Sequence, residues 1–152
     1  MVQDTYLENM RPGVPGQQAN MEPVDFLSRS NEAATVIGFG VIVKQGVNDK
    51  GCVADLTNLN ADNYLGLSVR ERSVRPETPN GFAQYESVRI ARRGCFFVTV
   101  GAAVTAGTDV TVNTTTGALS STAVGAGQVL IPNARWETSA GSGGLAIIRL
   151  SN

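Results

Sequence analysis

From Thr35 onward apolar and polar positions alternate with a period of two. Ile37, Phe39, Val41 and Val43 alternate with Gly38, Gly40, Ile42 and Lys44, and Leu65, Leu67 and Val69 with Gly66, Ser68 and Arg70. Val88 and Ile90 repeat the pattern, followed by Phe96, Val98 and Val100, then Val110 and Val112, and finally Ala146, Ile148 and Leu150. Successive side chains of a strand face opposite ways, so each run offers one apolar face to a core. The breaks carry turn residues: Asn48 to Gly51, Asn58 to Asn63, Pro76 to Gly81, Ala106 to Thr108, Thr114 to Gly117 and Gly141 to Gly144. Gly and Asn tolerate positive φ, and Pro presets the first position of a turn. No stretch carries a helical period for more than two turns. The pattern predicts an all-β domain, a small barrel or a jelly-roll-like sandwich.

Residues 1–31 lack this period. Pro12, Pro15 and Pro23, with Gly13 and Gly16, argue against a long helix or a central strand. Apolar side chains are nevertheless spaced along the segment: Tyr6, Leu7, Met10, Met21, Phe26 and Leu27 among them, with all three methionines of the chain. A solvated tail lacks such anchors, and flexible Met side chains suit an adaptable contact surface. Two units are therefore expected, an extended N-terminal arm over 1–31 that lies on something else and a β-domain over 32–152. A floppy leader is the alternative for the first.

Composition removes most chemistry. The chain has 152 residues, 42% hydrophobic and 16% charged, with a net charge of −1. That is enough apolar material for one core, and no bulk field favours nucleic acid or an anionic membrane. There is no histidine, which removes Ser-His-Asp and Cys-His systems, His-ligated zinc and the ordinary proton shuttle. Cys52 and Cys95 stand in no metal-ligand spacing and read as small buried hydrophobes. The glycine pairs precede no helix and match no phosphate loop. The Asp55 to Asn63 stretch lacks the bidentate Glu of a calcium loop. No apolar run is long enough to span a bilayer, and Asp4 and Glu8 rule out a signal sequence, so synthesis in the cytoplasm is expected. An enzyme is not expected, nor a cofactor or a metal.

Two features remain as candidate contact surfaces. Ten of the twelve basic residues are arginines, and Arg70, Arg72, Arg75, Arg89, Arg92 and Arg93 crowd one region. Alternation places Arg70 and Arg72 on one strand face, and Arg89 and Arg93 on another. Guanidinium forks pair with carboxylates and are weakly hydrated, which suits salt bridges to another subunit or partner. A solvated strand face and a nucleic-acid surface are the alternatives, the last short of net charge and interleaved aromatics. Trp136, beside Arg135, reads equally as an interface anchor or a core residue.

Three segments together resemble a known family. They are "MVQDTYLENMRPGVPGQQANMEP", "GLSVRERSVRPETPNGFAQYESVRIARRG" and "PNARWETS…GGLAIIRLSN". In this order they resemble the structural cement, or head decoration, proteins of tailed bacteriophages. The resemblance implies a non-enzymatic virion protein on the outer surface of the head, commonly a homotrimer, with a β-barrel body and an N-terminal extension across the major capsid protein. Carried over by position, Tyr6, Leu7, Met10, Arg11, Met21, Phe26 and Leu27 would contact the capsid. Arg70, Arg72, Arg75 and Tyr85 fall in the family's central motif, and with Arg89, Arg93 and Trp136 they are the expected oligomer or capsid interface. Neither nucleic acid nor membrane is an expected partner. Other phage β-domains (tail, baseplate or fibre) and a soluble ligand-binding barrel remain as alternatives, the last poorly supplied by 6% aromatics.

Overall fold

Alternating sequence becomes strand in eleven places. The structure, a computed structural model, describes residues 13–125 and 127–151. The strands are β1 Asp25–Asn31, β2 Ile37–Gly38, β3 Ile42–Gln45, β4 Gly51–Val53, β5 Tyr64–Ser68, β6 Gly81–Phe82, β7 Ser87–Thr99, β8 Asp109–Asn113, β9 Leu119–Ser120, β10 Gln128–Trp136 and β11 Leu145–Ser151. There is no helix among the described residues. The fold is all-β, as the period predicts.

Nine strands form one sheet in the order β1-β4-β3-β5-β7-β11-β10-β8-β9, while β2 and β6 pair separately. Because β1 also pairs with β7, the first five strands close on themselves as a small barrel. At the other end Val100, just past β7, bridges to Leu119 of β9 and draws the second half round. Closure of this kind leaves few exposed edges to template unwanted pairing.

The 13-residue β7 belongs to both halves. Its first part pairs with β1 and β5, its last part with β11. Val88 and Ile90 enter one core with Ile37, Phe39, Val43 and Phe82. Phe96 and Val98 enter a larger one with Val112, Ile131, Trp136, Ile148 and Leu150. Ala91 already faces the larger core beside Ile90 of the smaller one, and between these stretches Gly94 has a φ of 123°, open to glycine and strained for other residues.

The boundary expected at residue 31 does not hold. β1 lies between β4 and β7, pairing parallel with the first and antiparallel with the second. Phe26 packs against the larger core and Leu27 against the smaller. Both sides of this strand are covered, so no apolar–polar alternation marks it. Two further runs are cut differently from expectation. Ile37 to Lys44 breaks at Gly40 (φ 71°) into β2 and β3, and the two runs between Val88 and Val100 are one strand. β10 is hidden in the sequence by Pro132 and by Asn133 (φ 54°), which sit where its register against β8 slips between Leu130 and Arg135. A bulge is one of the few places a sheet accepts proline.

Candidate interaction surface

Ahead of β1, residues 14–19 run along the far half of β7. Gly16 N donates to Phe97 O at 2.8 Å, Phe97 N to Gln17 O at 2.9 Å, and Ala19 N to Cys95 O at 2.8 Å. Segment 16–31 thus flanks the whole of β7, interrupted only at the 20–24 excursion opposite Gly94. Glu22 fastens that excursion. Its carboxylate takes two bonds from the Arg149 guanidinium, at 2.8 and 2.9 Å, while Arg149 Nε pairs with Glu137. The Glu137 bond, with the Glu22 bond behind it, pushes the guanidinium's pKa further up. Beneath lies Cys95, its thiol 3.4 Å from Glu22 Oε2 and raised in pKa by burial and by that bond. Both cysteines are free and buried. Nothing in the sequence separates Glu22 or Arg149 from ordinary surface charge, since the pair is 127 residues apart.

The strap formed by 14–18 makes one wall of a groove whose other wall is arginine. Arg70, Arg72 and Arg89 line it, with Phe26 and Val69 in the floor. Arg70 is fixed three ways: its backbone N–H donates to Gly16 O at 2.9 Å, its Nε to Pro15 O at 3.1 Å, and its guanidinium lies 4.7 Å from the Phe39 ring centroid. Arg89 stacks over Phe26 at 4.0 Å and reaches Glu71 at 3.4 Å. The Glu71 carboxyl lies below its ordinary pKa, held chiefly by the backbone N–H of Arg72, then by that of Ser73, with Arg89 behind them. Arg72 is exposed, and its guanidinium has no partner among the described residues. Each stacking contact contributes about 0.5–1 kcal/mol at such exposure and, more to the point, holds a cation in place.

The expected interface residues therefore separate into groups. β5 ends at Ser68, so Arg70 and Arg72 are loop residues and not strand neighbours. They still meet, joined by Arg89. Arg93 lines a different recess with Glu22, Pro23 and Arg149. Arg75 pairs with Glu86, Nε to Oε1 at 3.6 Å. Next to Glu86 stands Tyr85, 75% exposed at a φ of 66° and held by its N–H on Asn31 O at 2.7 Å. A bulky residue in the left-handed region is strained and uncommon outside functional sites. Met21 is fully exposed. Phe26 and Leu27 face inward, which corrects their place among the outward anchors. Trp136 is corrected too: it is 1% exposed, with its indole N–H on Ser120 O at 3.1 Å, so it is a core residue and no interface anchor. Tyr6, Leu7, Met10 and Arg11 lie outside the described residues.

Other polar clusters spend themselves on turns. Asp55 Oδ1 accepts from Thr57 N and Oγ1, and Asn60 Oδ1 from the amides of Asp62 and Asn63. Among the described residues no group of His, Cys, Asp or Glu is placed to hold a metal ion. What the surface offers is fixed guanidinium donors and a few exposed apolar side chains, the equipment of a protein contact.

The model of one protein family, described as "Structural cement protein (E217 gp24/Pam3 gp6)", matches residues 2–151. The chain belongs to this family. It is thus a phage structural cement protein, a capsid-associated component of the virion. The capsid of Myoviridae phage XM1 contains a chain of the same fold, with a TM-score of 0.75 over 99% of this chain and 98% of that one, at 13% identity. No curated protein matches the chain.

Proposed function

We propose that this cement protein binds the outer surface of the head, on the major capsid protein, and stabilises the shell without catalysing a reaction. The observation that carries this reading is the family match across nearly the whole chain, joined to a barrel body whose outward features are fixed cations and isolated exposed side chains. In this reading Tyr6, Leu7, Met10, Arg11 and Met21 contact the shell, with Tyr85 and Arg75 as a second contact from the body. The protein acts as a homotrimer and takes neither nucleic acid nor membrane as partner. Many copies on adjacent capsid subunits add avidity and oppose expansion of the shell. The test adds purified protein to heads lacking it, images the particles, and follows their rupture on heating. Ordered density on the outside and a raised rupture temperature are expected. Removal of residues 1–12 should weaken both effects. Density confined to the tail or inside the head, or particles that rupture unchanged, would refute the reading.

A further inference from the structure

We propose that Tyr85 is a preformed anchor, held in place by Asn31 and Glu86, whose ring enters an apolar recess on the protein of the shell. The assignment rests on the cement reading and names the side chain through which the body takes hold.

Residues 83–86 form a turn closed by Glu86 N donating to Ala83 O at 3.1 Å. Tyr85 stands third in it at a φ of 66°, while Gln84 before it is not at positive φ, the pattern of a type II turn. Gly or Asn normally fills that position, because a bulky side chain is strained there. Packing can offset such strain where a ring is buried, but this one is 75% exposed and joins neither core. The fold alone would be better served by glycine at 85. What the ring contributes is therefore gained outside the chain.

Its surroundings keep the ring where it is. Asn31 is fully buried and all its polar groups are engaged at this end of the small barrel. Its carbonyl accepts from Tyr85 N at 2.7 Å, and its own N–H donates to Glu86 O at 3.0 Å. Its Nδ2 donates to Thr35 O and Phe82 O at 2.9 and 3.1 Å, and its Oδ1 accepts from Ala33 N at 3.0 Å. The Glu86 carboxylate turns inward onto the amides of Ala83 and Arg75. Gln84 Nε2 donates to Glu32 O at 3.1 Å, which ties the turn to the loop beside it. An exposed aromatic fixed in this way loses little freedom on binding, and aromatic anchors carry much of the energy of protein contacts.

The chemistry of the partner follows from what stands around the ring. Val47 is almost fully exposed and Val36 about half, on loops bonded to Glu32 and Asn31. With Tyr85 they make three of the six large apolar side chains exposed among the described residues. The carboxylates of Glu32 and Glu86 are already engaged by backbone amides, and Arg75 is paired with Glu86, so these groups demand no counter-charge. Such projecting side chains fit a concave, apolar surface. A second copy is the poorer fit, because its recesses at Arg70, Arg93 and Arg135 contain guanidinium groups that an apolar tip would strip of water without pairing.

The test measures binding of the full chain to heads lacking it, with thermal unfolding of each free protein alongside. Tyr85→Gly removes the ring and the strain together. It should bind heads about tenfold more weakly, or worse, yet unfold at the parent's temperature or above. Tyr85→Phe keeps the ring and should bind as the parent does. Glu86→Ala keeps Tyr85 but loosens its turn. It should weaken binding in the parent and leave binding unchanged in the Tyr85→Gly background, which a general loss of structure would not do. Equal weakening in both backgrounds overturns the positioning role of Glu86. A Tyr85→Gly variant that unfolds at a clearly lower temperature shows that the ring serves the fold and overturns the proposal. Self-association of the free parent that Tyr85→Gly abolishes would give the tip to a second copy instead. A parent that fails to bind heads sinks the cement reading and this assignment together, whereas a parent that binds with Tyr85→Gly its equal sinks the assignment alone.

Discussion

Gly94→Ala tests how the 20–24 excursion packs on the body. Gly94 lies within β7 at φ 123°, and an added Cβ would come within 2.5 Å of Val24 Cγ1 and 3.1 Å of Phe96 Cε2. Two costs follow. Backbone held in a region that L-residues avoid costs about 1–3 kcal/mol. Overpacking against Val24 and the Phe96 ring adds roughly 1–3 kcal/mol, because Phe96 is fully buried and cannot retreat. The sum, about 2–6 kcal/mol, is a large share of the ~5–15 kcal/mol that usually separates folded from unfolded domains. The two parts can be divided by a double-mutant cycle. Val24→Ala removes the methyl group at 2.5 Å, so in that background Gly94→Ala should cost only the backbone part and little of the packing part. Urea unfolding of the four proteins gives the coupling, expected at about 1–3 kcal/mol in the relieving direction. An equal cost of Gly94→Ala in both backgrounds would mean that Val24 does not press on β7, and the account of the 20–24 excursion as packed against that strand would fall.

Three further outcomes are expected. Glu22→Gln or Arg149→Met should cost at most about 1 kcal/mol of global stability, since these side chains are partly exposed and screened. Amide exchange at Gly16 and Ala19 should still quicken well beyond that at Val98. Trp136→Phe should cost about 1–3 kcal/mol through lost volume and a weakened bond to Ser120 O, with head binding and self-association unchanged per folded molecule. Glu32 accepts bonds from the amides of Val47 and Asn48, and the Asn48 bond heads the causes that hold its carboxyl below the ordinary range. A lowered folded-state pKa means stability present above the unfolded value and lost as pH falls through the folded one. Acid titration followed by NMR should therefore loosen the 46–50 turn at that step, and Glu32→Gln should abolish the step.

Much of the fold was legible because β5, β8, β11 and most of β7 each turn one apolar face to a core. The same rule failed at β1 for a physical reason. Phe26 and Leu27 are neighbours that face opposite sides, and each side meets a different core. A strand covered on both faces has no polar alternate to reveal it. The prolines misled in the same direction. Pro23 stands just ahead of β1 and Pro132 within the slipped register of β10, both places where a missing N–H leaves no ladder bond unmade. Segment 1–31 thus divides, with β1 and the strap belonging to the barrel.

The arginines show why the site was only half legible. Spacing crowded six arginines into one region and set Arg70 with Arg72 on one strand face and Arg89 with Arg93 on another, whereas in the structure Arg70, Arg72 and Arg89 line one groove and Arg93 lines a different recess. The first three converge because the strap brings Gly16 O and Pro15 O to Arg70, and because Phe26 and Phe39, from β1 and the link before β3, each lie beneath a guanidinium. The strap bonds to Arg70 and the Phe26–Arg89 stack depend on residues 13–31 folding back along β7, a long-range pairing that local pattern does not encode. The same pairing bears on function. In the proposed reading, a segment fastened to β7 by backbone bonds and by the Glu22–Arg149 pair would resist peeling when a shell pulls on what precedes it. If residues 1–12 hold the shell as proposed, load on them would pass into the longest strand of the barrel, which is paired on both sides.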